Sequence, residues 1–171
     1  MKLFSRTFER ATYAMHLSSG VILVSMMFVT LGDVISRAVF EMSSGTIDFT
    51  FIGGVELIKY GLLLTVLFAL PHSVGRSQVI VDLFTESMSS RSKNLMEGFY
   101  LLGFVLLGVG MSYRFFHAVG QAQMTGETTQ DLLVPLSYIY GVTTFATAVL
   151  AVAALLNSVR LFFCLDGGEK S

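Results

Sequence analysis

Apolar residues gather into four stretches, near residues 11–32, 51–72, 95–116 and 135–163. Each reaches the length of about 20 residues that lets a helix cross a hydrocarbon core about 30 Å thick. The three connections between them are roughly 20 residues each, too short to bury a hydrophobic core of their own. The pattern predicts an all-α, integral-membrane four-helix protein, with residues 1–171 forming a single membrane domain. In the second connection, Val79, Ile80, Leu83, Phe84 and Met88 fall on one helical face, with Asp82, Thr85 and Glu86 elsewhere and Ser77 placed as an N-cap. This predicts a short amphipathic helix over about 78–88, lying in the membrane interface as a lipid-surface anchor or as a brace against a neighbouring protein.

The two prolines, Pro71 and Pro135, fall at the end of span two and the start of span four, where loss of a helical N–H costs least. No span is interrupted in its middle, and no pair of related repeats is visible. Many secondary transporters bind substrate at broken helices near the midplane, so the pattern argues against a self-sufficient carrier. Lys2, Arg6 and Arg10 ahead of an apolar run resemble the start of a secretory signal. The apolar residues continue a longer helical pattern, however, and no A-x-A-like site follows, which predicts a retained first span.

Composition sharpens this reading. Hydrophobic residues make up 53% of the chain and charged residues 13%, with a mean hydropathy of +0.70, which is the balance of a membrane protein. Eleven Lys and Arg against twelve Asp and Glu leave no basic excess to hold a nucleic-acid backbone. The single cysteine, Cys164, provides neither an internal disulfide nor a Cys-rich metal cage. Of the eleven basic residues, eight precede span one, lie between spans two and three, or close the chain, as Arg160 and Lys170 do, and two, Arg37 and Arg114, lie on the other side. Lys59 falls inside span two. Basic loops resist translocation, so both termini and the middle connection are expected in the cytoplasm. The outer connections then carry Asp33, Glu41, Asp48, Glu127 and Asp131.

Small residues recur seven apart on every span: Ala11, Ser18, Ser25 and Gly32; Gly54 and Gly61; Gly103 and Gly110; Gly141 and Ala148. Such seams let backbones approach, either within the four helices or against a second membrane protein. Asp33 and Arg37, four apart, can form an ion pair or a fold-fixing contact. Glu56 and Lys59, three apart near the outer end of span two, can neutralise each other or make a polar contact to a partner, since an unpaired charge there is costly. A proton path through Glu56 lacks further acidic groups deeper in the span. His16 and His72 lie at matching depth, where they could ligate a haem iron, while His117 has no histidine mate and an interfacial polar role explains all three more simply. There is no Ser/His/Asp or Cys/His constellation and no Gly-rich phosphate loop, so catalysis has no visible seat.

Several of these fragments fall in a familiar order: Asp33-Val34-Ile35-Ser36-Arg37, Gly54-Val55-Glu56, Leu70-Pro71, Val79-Ile80-Val81-Asp82, Glu127-Thr128-Thr129 and Leu133-Val134-Pro135. In that order, on four spans, the chain resembles the DctQ-type small integral-membrane subunit of tripartite ATP-independent periplasmic (TRAP) transporters. Gln78 stands where that family often has histidine. The resemblance implies a non-enzymatic subunit in a bacterial inner membrane that scaffolds a large, multi-span permease subunit. It would also help dock a periplasmic substrate-binding protein for uptake of an organic acid such as a dicarboxylate, sialic acid or sulfonate. It implies no cofactor on this chain, with sodium ions bound by the large subunit. Asp33, Arg37, Glu56, Lys59, Gln78, Asp82, Glu127 and Pro135 become the partner-interface or fold-fixing candidates. Competing expectations are a haem-bearing four-helix anchor of a redox enzyme, through His16 and His72, and a small proton-coupled carrier, through Glu56.

Overall fold

The computed structural model describes residues 2–46, 52–74 and 90–167, with side chains described over 7–46, 52–74, 92 and 95–161. Four helices account for most of them: α1 (Lys2–Met42), α2 (Gly54–Ser73), α3 (Ser90–Thr125) and α4 (Leu136–Gly167). All four are long and apolar enough to cross a membrane. No strand occurs among the described residues, where Thr128 and Pro135 form an isolated antiparallel bridge. The amphipathic helix expected over about 78–88, with Gln78 and Asp82, lies outside the described residues.

The helices overrun the apolar stretches because apolarity ends before helix-stopping chemistry begins. Nothing in Asp33–Met42 breaks a helix, and α1 runs on to a glycine stop in which Gly45, at φ 82°, donates its N–H to the Phe40 carbonyl over 3.1 Å. At the end of α3, Gly126 does the same work at φ 67°, donating to the Ala122 carbonyl. With 41 and 36 residues, α1 and α3 are about 60 and 54 Å long, well beyond a core of about 30 Å. They therefore tilt or project past the hydrocarbon. Pro71 sits in the last turn of α2, which ends with the Val74 N–H donating to the Leu70 carbonyl.

The helices do not close into a bundle. α3 packs extensively on α4, α1 on α2, and α2 more lightly on α4, while the remaining pairings are marginal. The result is an open row in the order α1, α2, α4, α3. Burial follows that order: 11% of the apolar window is buried in α1 and 17% in α3, at the edges, against 28% in α2 and 39% in α4, inside the row. On α1 only a narrow stripe is covered, formed by Thr12, Met15, Ser19, Ile22, Met26, Val29, Asp33 and Ser36 at alternating steps of three and four. That is the spacing of a two-helix seam.

The best-packed region lies in and beside the α3–α4 pair, where Leu101, Leu150, Ala154 and Val74 are buried together, with Phe104 and Leu161 against them. Gly108 makes the close approach possible: a Cβ there would lie 3.0 Å from the Ala151 backbone. Hydroxyls complete the pair, with Ser112 donating to the Thr144 carbonyl over 3.4 Å and Ser158 to the Gly98 carbonyl over 3.3 Å. The fully buried Thr143 and Thr147 donate to carbonyls one turn back in α4, so no hydroxyl there faces hydrocarbon unpaired.

The seven-residue seams are used unevenly. Gly54 and Gly61 are buried, the second beneath Met26 of α1. Gly103, Gly110 and Gly141 meet nothing within 4 Å, and Ala11, Ser18, Ser25 and Gly32 all lie on the exposed side of α1. α3 turns Gly108 toward α4 instead, because the face bearing Leu101, Phe104 and Val105 buries more apolar area there than the glycine pair does.

Candidate functional site

At the end of the row that carries the 126–135 connection, two fragments more than seventy positions apart are fastened together. Gly53 opens α2 in the left-handed region, at φ 99°, and no side chain caps the helix. A Cβ on Gly53 would lie 2.7 Å from Leu132 Cδ2 and 2.9 Å from its Cγ, so the left-handed conformation demands glycine and any side chain there would also displace Leu132. This turn delivers the third residue of α2, Glu56, to the loop. In a capping box a glutamate here reaches back to its own helix start; Glu56 reaches across instead. Its carboxylate accepts N–H bonds from Gln130 (2.8 Å), Asp131 (3.1 Å) and Leu132 (2.9 Å). Successive N–H groups converging on one anion form a nest, and the positive end of the α2 dipole favours the same charge.

The loop is shaped to offer those groups. The Thr129 N–H donates to the Val134 carbonyl over 2.9 Å, the Val134 N–H returns to Thr129 Oγ1 over 3.1 Å, and the Leu136 N–H donates to the Glu127 carbonyl over 3.0 Å. Thr129 is buried by this closure. Leu133 turns the chain at φ 52°, a conformation that a branched side chain holds only when its surroundings fix it. Pro135 ends the loop, bridged to Thr128, and α4 begins at the next residue.

Lys59, three residues beyond Glu56, is exposed and holds its ammonium 5.4 Å from the centre of the Tyr60 ring. Glu56 and Lys59 form no ion pair, because the carboxylate is turned into the loop. Asp33 and Arg37 do meet, with Arg37 Nε donating to Asp33 Oδ2 over 3.0 Å. Asp33 Oδ1 is buried without a hydrogen-bond partner among the described residues, in contrast to the fully engaged Glu56. Glu127 is exposed at the base of the loop.

At the opposite end, Arg160 Nη2 of α4 donates to Glu9 Oε1 of α1 over 3.0 Å, joining the middle of the row to its edge. Nearby in sequence, the His16 and His72 rings touch, with centroids 5.1 Å apart and planes inclined by 35°, and Tyr13 meets His72 edge-on at 5.6 Å. No porphyrin plane fits between imidazoles in direct contact, so this geometry does not favour the haem expectation. His117, exposed on α3, meets the rings of Tyr113 and Phe116 edge-on. Among the described residues no group of three or more His, Cys, Asp or Glu could hold a metal ion.

Gly53, Thr129 and the backbone of 130–132 are the members of this site that sequence reasoning passed over. One signal was available: an acidic residue in the first turn of a helix that lacks a Ser, Thr, Asp or Asn cap is free to serve donors elsewhere. The glycine pair ahead of Glu56 and the Glu127-Thr128-Thr129 fragment are the two sides of that contact. Backbone donors leave no mark in residue types, however, and nothing local says which N–H groups Glu56 will find.

No curated protein and no solved structure matches the chain. Residues 26–164 match the family model described as tripartite ATP-independent periplasmic transporters, DctQ component, a stretch that takes in both sides of the Glu56 contact, the second part of α1, all of α2 and α3, and most of α4; the chain belongs to the DctQ family and is a TRAP transporter small permease subunit.

Proposed function

We propose that this subunit is a non-catalytic scaffold in a bacterial inner membrane. It holds the large, sodium-coupled permease subunit at a fixed depth and helps dock the periplasmic substrate-binding protein for uptake of an organic acid of the dicarboxylate, sialic acid or sulfonate type. The observation that carries this reading is the open row one helix thick, whose broad faces expose large apolar side chains from Leu17 and Phe28 on α1 to Leu106 and Phe116 on α3. Lipid alone would tolerate those faces, but a self-contained carrier needs an enclosed path between helices, and the row formed by the described helices encloses none. An unbroken wall suits a partner that moves while the wall stays still.

In this reading the termini and the 75–89 connection face the cytoplasm, following the basic residues, and the Glu56 clasp lies on the periplasmic side. Substrate and sodium ions belong to the large subunit, and this chain carries no cofactor. Asp33, Arg37, Lys59, Gln78, Asp82, Glu127 and Pro135 act with Glu56 in fixing the fold or meeting partners.

The test is co-purification of the tagged chain with its genomic neighbours in mild detergent, followed by sodium-driven uptake in proteoliposomes. A stoichiometric large permease subunit should stay bound. Asp33→Ala, Arg37→Ala and Glu56→Ala should lower assembly or uptake without changing which acid is taken up. Altered substrate preference in any of them, or transport by the purified chain alone, would overturn the scaffold.

A further inference from the structure

Beside the clasp lies a groove of about 370 Å³, open to the surface between the end of α3, the 126–135 loop and the start of α4. Its lining includes Gln123, Glu127, Thr128, Ser137 and Tyr138, over a floor of Ala122 and Gly126. Resting on the reading of this chain as a small permease subunit, we propose that the groove is the seat for a lysine or arginine side chain of the periplasmic substrate-binding protein.

Three observations lead there. First, the only charge in the lining is negative, and it is uncommitted. Glu127 is held through its backbone carbonyl, which accepts the Leu136 N–H, while its carboxylate has no hydrogen-bond or ion-pair partner among the described residues. Glu56 presents the contrast, since its charge is consumed by three loop N–H groups. Second, the remaining polar lining suits a cation. Gln123, Thr128 and Ser137 present oxygen acceptors, and none of their side chains is engaged by another described residue. The Tyr138 ring is 71% exposed on the wall, where its face attracts an ammonium or guanidinium group. Third, the walls are built before any partner arrives. The Thr128–Pro135 bridge, the glycine stop at Gly126 and the clasp on Gln130, Asp131 and Leu132 fix the loop, so a partner need not order it on binding.

At about 370 Å³ the groove has room for one side chain with a few waters, each taking about 30 Å³. It sits where spans give way to loop, at the end a soluble partner can reach. A charged contact on such a rim governs partner choice and association more than the stability of the assembled membrane complex.

The experiment uses the assembled complex of this chain with its large subunit in proteoliposomes, titrated with the substrate-binding protein while uptake is followed. For Glu127→Lys the concentration of binding protein giving half-maximal uptake should rise about tenfold, with weaker dependence on salt, while the rate at saturation and the yield of large subunit on co-purification stay unchanged. Tyr138→Ala should raise it less. A lysine- or arginine-to-glutamate change on the binding protein should restore half-saturation to Glu127→Lys and to no other variant. Unchanged half-saturation in Glu127→Lys would overturn the proposal. So would loss of the large subunit from that variant, which would assign the groove to a contact inside the membrane complex. Failure of the unaltered chain to hold any large subunit would instead overturn the scaffold reading beneath it.

Discussion

The α3–α4 and α1–α2 pairs are built from the same materials and packed to different depths. In the first, a glycine lets α3 settle against the Ala151 backbone, hydroxyls bond across the interface, and a ten-residue loop fastened by its own hydrogen bonds joins the helices. In the second, a long helix touches its neighbour along one narrow stripe, with a flexible methionine laid over Gly61. In lipid, where apolar burial drives little association, close backbone approach and interhelical hydrogen bonds distinguish a fixed pair from an adaptable one. The subunit thus has a closely packed half, α3–α4, and a more loosely packed half, α1–α2, whose exposed surface is available to a partner. The Glu56 clasp and the Glu9–Arg160 pair tie the two together at opposite ends.

Gly108→Leu should have the largest effect on the closely packed half. A side chain cannot enter where Ala151 Cα already stands 3.0 Å from the Cβ position, so the variant should lose about 3 kcal/mol of stability, read as thermal or denaturant unfolding in detergent. A fully stable Gly108→Leu would remove the argument for a closely packed half. Gly53→Ala comes next. At φ 99°, and with Leu132 already in the space, it should cost about 2 kcal/mol and loosen the loop without disturbing α3–α4 packing.

Glu56→Ala sharpens the link between halves. Amide hydrogen exchange at Gln130, Asp131 and Leu132 should accelerate several-fold, while exchange in the helix interiors holds steady. If those amides stay protected, the loop stands by itself and the clasp is incidental. The smallest effect belongs to Gly110→Ala. Nothing lies within 4 Å of that position, so the isolated subunit should be unchanged or stabilised by up to about 1 kcal/mol through helix propensity. Any loss on assembly with the large subunit would then mark α3 as a contact face.

The four apolar helices were legible because a hydrocarbon core imposes length and composition directly on the residues that cross it. The order α1, α2, α4, α3 was not, since small-residue seams recur on every span and periodicity cannot say which seam finds a neighbour. Gly103 and Gly110 illustrate this: their spacing matches that of Gly54 and Gly61, yet the first pair faces open space while the second is buried. The candidate site divides in the same way. Glu56 and Glu127 stand out as charges near membrane-length segments, but the role of each depends on where it points. Glu56 and Lys59 share a helical face in the favourable order, and still the carboxylate takes three backbone donors from a loop more than seventy residues away.

Membrane residence, the four membrane-length apolar segments and the family were determined by the sequence itself, since each rests on local chemistry or on composition over a window of fixed length. The open row, the choice of Gly108 over its neighbours, the capture of the loop by Glu56 and the uncommitted carboxylate of Glu127 were decided only in the tertiary structure. Each is a competition among partners distant in the chain, and the winner depends on which backbones come close enough for a hydrogen bond or a van der Waals contact to form.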